Sequence, residues 1–351
     1  MTGRVPEPAA PRSPRGAEES RDRDRERGAG AGPSSARAGP PAGRAAGLPG
    51  AVPLCELHHY RYHDFHGVPY PAFMDCARIE ELRRSFALEA GDVAICTFPK
   101  CGTTWMQQVV LLLLAGGDLA KAERPTRQAP WIERFVSVKG RPRLNLLAKP
   151  RVFKSHTQPQ LAPWHRNSGK VIVVARNPLD AAVSAFHHAK SLPESLRMSD
   201  AVTFADFAGA WREGKATFGG GSWWDWHARW YRATYQRRTD QVLWVWYEDM
   251  VKDLAKEVRG VAEFLGVDAS DVVVDATVAA SSFDSMKQRM DAQERYNESK
   301  DRMVRKHQLR VGKVGGWAEY FDPQMAQAFR EQSKRELAPA LNKAVQNRER
   351  G

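Results

Sequence analysis

Three short strings in this chain hold residue types that can grip a phosphate and move a proton. The first is Thr97-Phe98-Pro99-Lys100-Cys101-Gly102-Thr103-Thr104-Trp105. The apolar run Val93–Cys96 leads into it and the apolar run Met106–Leu114 leads out. A strand, a tight turn and a helix in that order aim free backbone N–H groups at an anion. Lys100 adds a full positive charge, and Thr103 and Thr104 add hydroxyl donors. The second string is Lys154-Ser155-His156. A histidine within hydrogen-bond reach of a hydroxyl can take its proton, and Lys154 with Lys100 can stabilise negative charge as it develops. The third is Arg176-Asn177-Pro178-Leu179-Asp180, followed by Ser184. There a guanidinium suited to bidentate phosphate contact leaves an apolar run, and a hydroxyl follows on the next helix.

The first string is not a Walker A loop, which places lysine after the second of two glycines and follows it with Ser or Thr. Here Lys100 precedes the glycine. A Walker-like string does occur at Gly209–Lys215, but Ala216 follows it, and Phe204, Phe207, Ala208 and Trp211 repeat at helical spacing. That string reads as a chance match on a helix and its end.

The elements that must carry these strings follow from hydrophobic pattern. Strands are expected at Val93–Thr97, Arg151–Lys154, Lys170–Ala175 and Val242–Tyr247. The Val-Ile-Val-Val core of the third is a buried parallel strand. Helices are expected near 76–86, 104–115, after Pro178, and near 203–216, 222–238, 248–265 and 322–337; residues 118–150 read as irregular. Alternating strands and helices predict an α/β fold. It is a single three-layer domain with a central parallel sheet and helices on both faces, and its phosphate-binding strand-loop-helix is P-loop NTPase-like.

Lysine-first Pro-Lys-x-Gly-Thr-Thr-Trp resembles the phosphosulfate loop of the cytosolic sulfotransferases, and the resemblance extends over residues 65–335. It implies transfer of a sulfuryl group from 3′-phosphoadenosine-5′-phosphosulfate (PAPS) to a hydroxyl or amine of a small-molecule acceptor, without a metal. It makes His156 the base, with Lys100 and Lys154 in the catalytic group. It lays the donor's 5′ end on Lys100, Cys101, Gly102, Thr103, Thr104 and Trp105, and the 3′-phosphate on Arg176 and Ser184. Tyr247-Glu248-Asp249 and Ser281-Ser282-Phe283-Asp284-Ser285-Met286 resemble segments that bind adenosine, which points to Tyr247, Ser281, Ser282, Phe283 and Met286. Arg310-Val311-Gly312 resembles a second grip on the 3′-phosphate. Trp131, Phe186, His187 and His188 are expected to line the acceptor pocket.

The chain departs from that family in places. Val311 stands for a lysine and Gly316 for an aspartate, with Lys313 nearby as a substitute charge. Cys101 replaces a common serine; a thiol at a helix start beside Lys100 could have a lowered pKa, or simply fill the loop. The dimer motif of many animal members is missing around Ala318, Asp322-Pro323 and Gln327, so the oligomeric state stays open.

Composition bounds the rest. The 351 residues carry a net charge of +12, which suits a polyanionic ligand and leaves a nucleic-acid-binding protein as a rival, with a nucleotide kinase as a third reading. Residues 1–50 hold nine Arg against six Asp plus Glu and few large apolar residues, so they read as a disordered tail; the resemblance implies that residues 51–345 are the sulfotransferase-like domain. The tail has no apolar signal core and is interrupted by acids. No run of ~18 apolar residues suggests a membrane span, and four cysteines without a paired pattern suggest a reducing, cytoplasmic setting. His58, His59, His63 and His66 match no zinc spacing and read instead as part of a pocket mouth.

Overall fold

Val93–Thr97 (β3) sits at the middle of a four-stranded parallel sheet in the order β4-β3-β5-β6, with β4 Val152–Ser155, β5 Lys170–Ala175 and β6 Val242–Trp246. The structure is a computed structural model, and it describes residues 62–349 other than 72, 163–167, 193–196, 217–220, 236–238, 299–308 and 310. The tail, His58, His59, Gly220 and Arg310 lie outside the described residues. Every described residue falls in one compact unit, Leu48–Gly351.

The sheet is buried on both sides because its strands are apolar at both parities. Ala94, Cys96, Val171, Val173 and Ala175 face one core, while Val93, Ile95, Ile172 and Val174 face the other. That is the period of two expected of a strand. Helix α2, Thr103–Leu114, fills the second core with Met106, Val109, Val110 and Leu113, spaced on one helical face. The first core is closed by α5 Pro178–Lys190, α6 Phe204–Arg212, α7 Trp223–Tyr235 and α12 Pro323–Glu336. Its centre is aromatic: Trp211 stacks on Phe329 at 5.8 Å, and Trp223, Trp224, Trp226 and Trp230 are buried. A ring of that size buries about 150–250 Å², a gross contribution on the order of 4–6 kcal/mol. The Walker-like string lies on α6 and its end, with Trp211 in the core, and so does not form a strand-to-helix phosphate turn.

Several expected boundaries shift. An antiparallel hairpin, β1 Tyr62–Phe65 and β2 Val68–Pro71, precedes α1 Cys76–Ser85. His66 and Gly67 turn it with φ of 53° and 74°, the two-residue turn that suits strand twist. The span 118–150 is not irregular: it contains α3 Pro125–Gln128 and α4 Ile132–Lys139. Asp253 splits the expected helix into α8 Tyr247–Lys252 and α9 Leu254–Leu265, because its carboxylate caps Lys256 N at 3.0 Å. Helices α10 Asp271–Ser281, α11 Phe283–Glu298 and α13 Pro339–Glu349 complete the described chain.

Strand order decides where a ligand goes. After β3 the chain visits β4 on one side and then β5 on the other, so a crevice opens beyond the carboxyl ends of the strands. Lys100, His156, Arg176 and Tyr247 lie just beyond the ends of β3, β4, β5 and β6.

Candidate active site

A cavity of about 410 Å³ occupies that crevice. Its floor is the turn after β3. Lys100 and Gly102 both take left-handed backbone, with φ of 73° and 96°. For lysine that is costly, about 1 kcal/mol or more. Gly102 is required twice, by its φ and because a Cβ there would stand 2.9 Å from the Tyr247 ring. The turn delivers the N-terminus of α2 into the cavity. The first helical bond runs from Met106 N to Gly102 O at 3.0 Å, so the N–H groups of Thr103, Thr104 and Trp105 precede the helical ladder, and no side chain caps them.

Positive charge gathers above these N–H groups. Lys100, Lys154 and Arg176 all line the cavity. Burial, then the nearby Arg176 and Lys154, push the Lys100 ammonium down to about 8. Arg176 donates from Nη1 to Lys100 O at 3.1 Å and lies 4.1 Å over the Tyr247 ring, while its Nε is buried without a hydrogen-bond partner. Cations held together this way, one with an orphaned buried donor, are complementary to an anion.

His156 meets this cluster from β4. Its Nδ1 lies 2.9 Å from Thr97 O and 3.2 Å from Thr97 Oγ1. A carbonyl only accepts, so Nδ1 carries the proton and Nε2 keeps its lone pair. Nε2 makes no hydrogen bond among the described residues. Burial, then Lys154, with Lys100 behind them, push the ring down to about 3 against the opposing carbonyl bond. The tryptophan core steadies the segment, since Trp226 Nε1 donates to His156 O at 3.0 Å and Trp230 Nε1 to Thr157 O at 3.2 Å. Behind it, Ser155 Oγ donates to Glu133, whose carboxyl burial raises to about 7.

The other end is built from α5, α10, α11 and the glycine-rich segment before Trp317. Ser184 lines the cavity one turn after Asp180. Asp180 accepts Gly315 N at 2.8 Å and Trp317 N at 3.0 Å, a link that sequence reasoning missed. Trp105, Tyr247, Ser281, Phe283 and Met286 form an aromatic and apolar wall. Trp105 Nε1 donates to Ser281 O at 2.8 Å, and Gly312 presses on Phe283 so closely that a Cβ would stand 2.3 Å from the ring. Val311, Gly312 and Lys313 line the same end.

Four expected site side chains stand elsewhere. Cys101 is fully buried in the aromatic core, and burial drives its thiol up to about 12, so it fills the loop and does not carry a lowered pKa. Ser282 turns its hydroxyl back to Ala279 O at 3.0 Å, at the junction of α10 and α11. Phe186 packs on Phe204 and Phe207, and His187 pairs with Tyr320 OH at 2.8 Å, both on the core side of α5. The hydroxyl of Ser281 is likewise engaged by Thr277 O at 2.6 Å. Trp131 and His188 do line the cavity, joined by Phe73, Arg134, Leu192 and Leu309, which went unnoticed. Arg134 was hidden because its segment showed no clear period. Among the described residues, no group of three or more His, Cys, Asp or Glu side chains gathers as a metal site, and no helix is long and apolar enough to cross a membrane.

A family model described as "Sulfotransferase domain" matches residues 90–340. The chain belongs to the sulfotransferase family. As a sulfotransferase it moves a sulfuryl group onto an acceptor. It is 30% identical over 254 residues to Sulfotransferase 1E1 of Bos taurus, covering 70% of this chain and 82% of that protein. With Sulfotransferase 1C2 of Homo sapiens the identity is 31% over 264 residues, covering 72% and 86%. With the amine sulfotransferase of Oryctolagus cuniculus it is 30% over 279 residues, covering 76% and 87%. The fold matches that of mouse sulfotransferase SULT7A1 complexed with PAP, at a TM-score of 0.64 and 22% identity, covering 83% of this chain and 99% of the other. It also matches retinol dehydratase in complex with retinol and PAP, at 0.65 and 21%, covering 82% and 94%.

Proposed function

We propose that this sulfotransferase takes its sulfuryl group from PAPS and passes it to a hydroxyl of a small-molecule acceptor, with His156 as general base. The observation that carries the proposal is one cavity that holds an unpartnered His156 Nε2 beside the Lys100, Lys154 and Arg176 cations. A donor with phosphates at both ends of an adenosine fits the residues present. The left-handed turn and α2 offer N–H groups at one end, and Arg176 offers a buried, orphaned Nε. Two of the solved sulfotransferase-like structures hold PAP, the desulfated donor.

In this reading Lys100, Gly102, Thr103, Thr104 and Trp105 hold the 5′ end, and Arg176 and Ser184 hold the 3′-phosphate. Arg310 joins them by resemblance only. Trp105, Phe283 and Met286 flank the adenine. The donor supplies an activated sulfuryl group for in-line displacement at sulfur. His156 accepts the acceptor hydroxyl's proton at Nε2, while its Nδ1–H stays on Thr97 O and fixes the ring. Lys100 and Lys154 offset the negative charge of the transferring and leaving groups. A cytoplasmic setting belongs to the same proposal and suits the free thiols of Cys76, Cys96 and Cys101.

His156→Ala is expected to lower turnover by about 10²–10⁴-fold and to leave PAP binding intact, read as a PAP-dependent rise in melting temperature. Near-normal turnover in the variant removes the base assignment. Loss of PAP binding reassigns His156 to the donor site.

A further inference from the structure

The acceptor half of the cavity carries a guanidinium that the proposed transfer does not use. Arg134 lies on α4, three residues beyond Trp131, and lines the cavity with an exposed side chain. Its guanidinium stands 5.8 Å from the Phe73 ring centre. Among the described residues it has no carboxylate partner. Aromatic rings lead from the base to this point. Trp131 meets His156 edge-on at 5.0 Å, and Phe73 meets Trp131 edge-on at 6.4 Å. The two contacts line the way with aromatic rings, from a proton acceptor at one end to a cation at the other.

The charge balance of the cavity agrees. Asp180 is the one carboxylate among its described lining residues, and Gly315 N and Trp317 N occupy it. The remaining charged lining groups are Lys100, Lys154, Arg176, Lys313 and Arg134, all cationic. A donor can neutralise Lys100, Lys154 and Arg176 and, at its other end, Lys313, but Arg134 stands beside Phe73 on the acceptor side. A protonated amine on the acceptor meets only like charge there, whereas an anion meets a fork of N–H donors.

Resting on the transfer reading above, we propose that the preferred acceptor is a flat phenol carrying an anionic group, such as a carboxylate, at the end away from its hydroxyl, and that Arg134 binds that group. The test uses the full chain saturated with PAP and two probes of equal shape, 4-hydroxyphenylacetate and its neutral amide, with affinity measured by calorimetry. Wild type is expected to favour the carboxylate by about tenfold, the scale of a partly screened charge-assisted pair. In Arg134→Gln that ratio falls to about one, and in Arg134→Lys part of it returns. An equal ratio in wild type, or a ratio unchanged in Arg134→Gln, overturns the assignment and leaves Arg134 a solvated surface group. Sulfuryl transfer to the amide separates the two levels. Transfer with no carboxylate preference defeats this inference alone, and failure of PAP to bind defeats the reading beneath it.

Discussion

His156 donates its Nδ1 proton to Thr97 O and leaves Nε2 without a hydrogen bond among the described residues, yet its surroundings make it a weak base, pushed down to about 3. Burial is the largest cause, and the cations Lys154 and Lys100 add to it. An anion seated beside the lysines offsets their share of that effect. In the proposed transfer, a bound donor would therefore strengthen His156 as the base. Histidine ring NMR is expected to show His156 neutral through pH 5 in the free enzyme. Lys154→Met, or saturation with PAP in wild type, should move its midpoint upward. A midpoint that moves in neither case leaves burial as the whole cause and removes the coupling between donor and base. At this scale the sequence picked out residues that share one cavity, Lys100, His156, Arg176 and Ser184. It did not announce direction. Cys101 sits in the right turn but points into the core, and Phe186 lies on the right helix but on its buried side. A spacing pattern places a residue on an element, and packing alone chooses the face.

Between elements, α5 does more than carry Ser184. Asp180 on its first turn takes two backbone N–H groups from the segment that begins the Gly316–Glu319 turn, tying the glycine-rich grip to the helix that faces it. The carboxylate is buried, so its removal strands both donors. Asp180→Ala is expected to cost about 3 kcal/mol, to weaken PAP binding, and to speed amide hydrogen exchange at Gly315 and Trp317. Unchanged exchange at those two amides shows that the segment is held by other contacts. This link was invisible beforehand because its two halves lie 135 and 137 positions apart. The elements that were legible are those whose pattern is decided locally. β3 and β5 are continuous apolar runs and fall at the expected residues. The β1–β2 hairpin escaped because its strands have four residues each and turn on His66-Gly67 rather than on an Asn-Gly or Asp-Gly pair. α4 escaped for a related reason: eight residues flanked by Pro130 and Gly140 show barely two turns of periodicity.

At the scale of the whole molecule, four groups held in or against the core, Glu133, Glu248, His156 and His227, contribute opposing responses to pH. Burial raises Glu133 and Glu248 from 4.5 to about 7, and burial lowers His156 and His227 from 6.5 to about 3. Between pH 4.5 and 6.5 the folded carboxyls hold protons that the unfolded chain releases, so their contribution falls as pH rises. Over the same window the folded imidazoles lack protons that the unfolded chain takes up, so theirs grows. Each fully displaced group contributes a slope of about 1.4 kcal/mol per pH unit, and two against two cancel. Stability from these groups is therefore expected to be flat from pH 4.5 to 6.5, to drop below that window as the imidazole term alone remains, and to drop slightly just above it as the carboxyls ionise. His227 gives a clean way to unbalance the set. Its ring stacks on Trp223 at 3.9 Å and donates from Nδ1 to Trp223 O at 2.8 Å, away from the cavity lining. His227→Phe keeps an aromatic ring there and removes one rising term. Urea denaturation of the variant is expected to show stability falling by about 1.4 kcal/mol per pH unit across the window where wild type is level. Parallel profiles for the two proteins show that His227 protonates alike in both states, and that the balance lies with other groups.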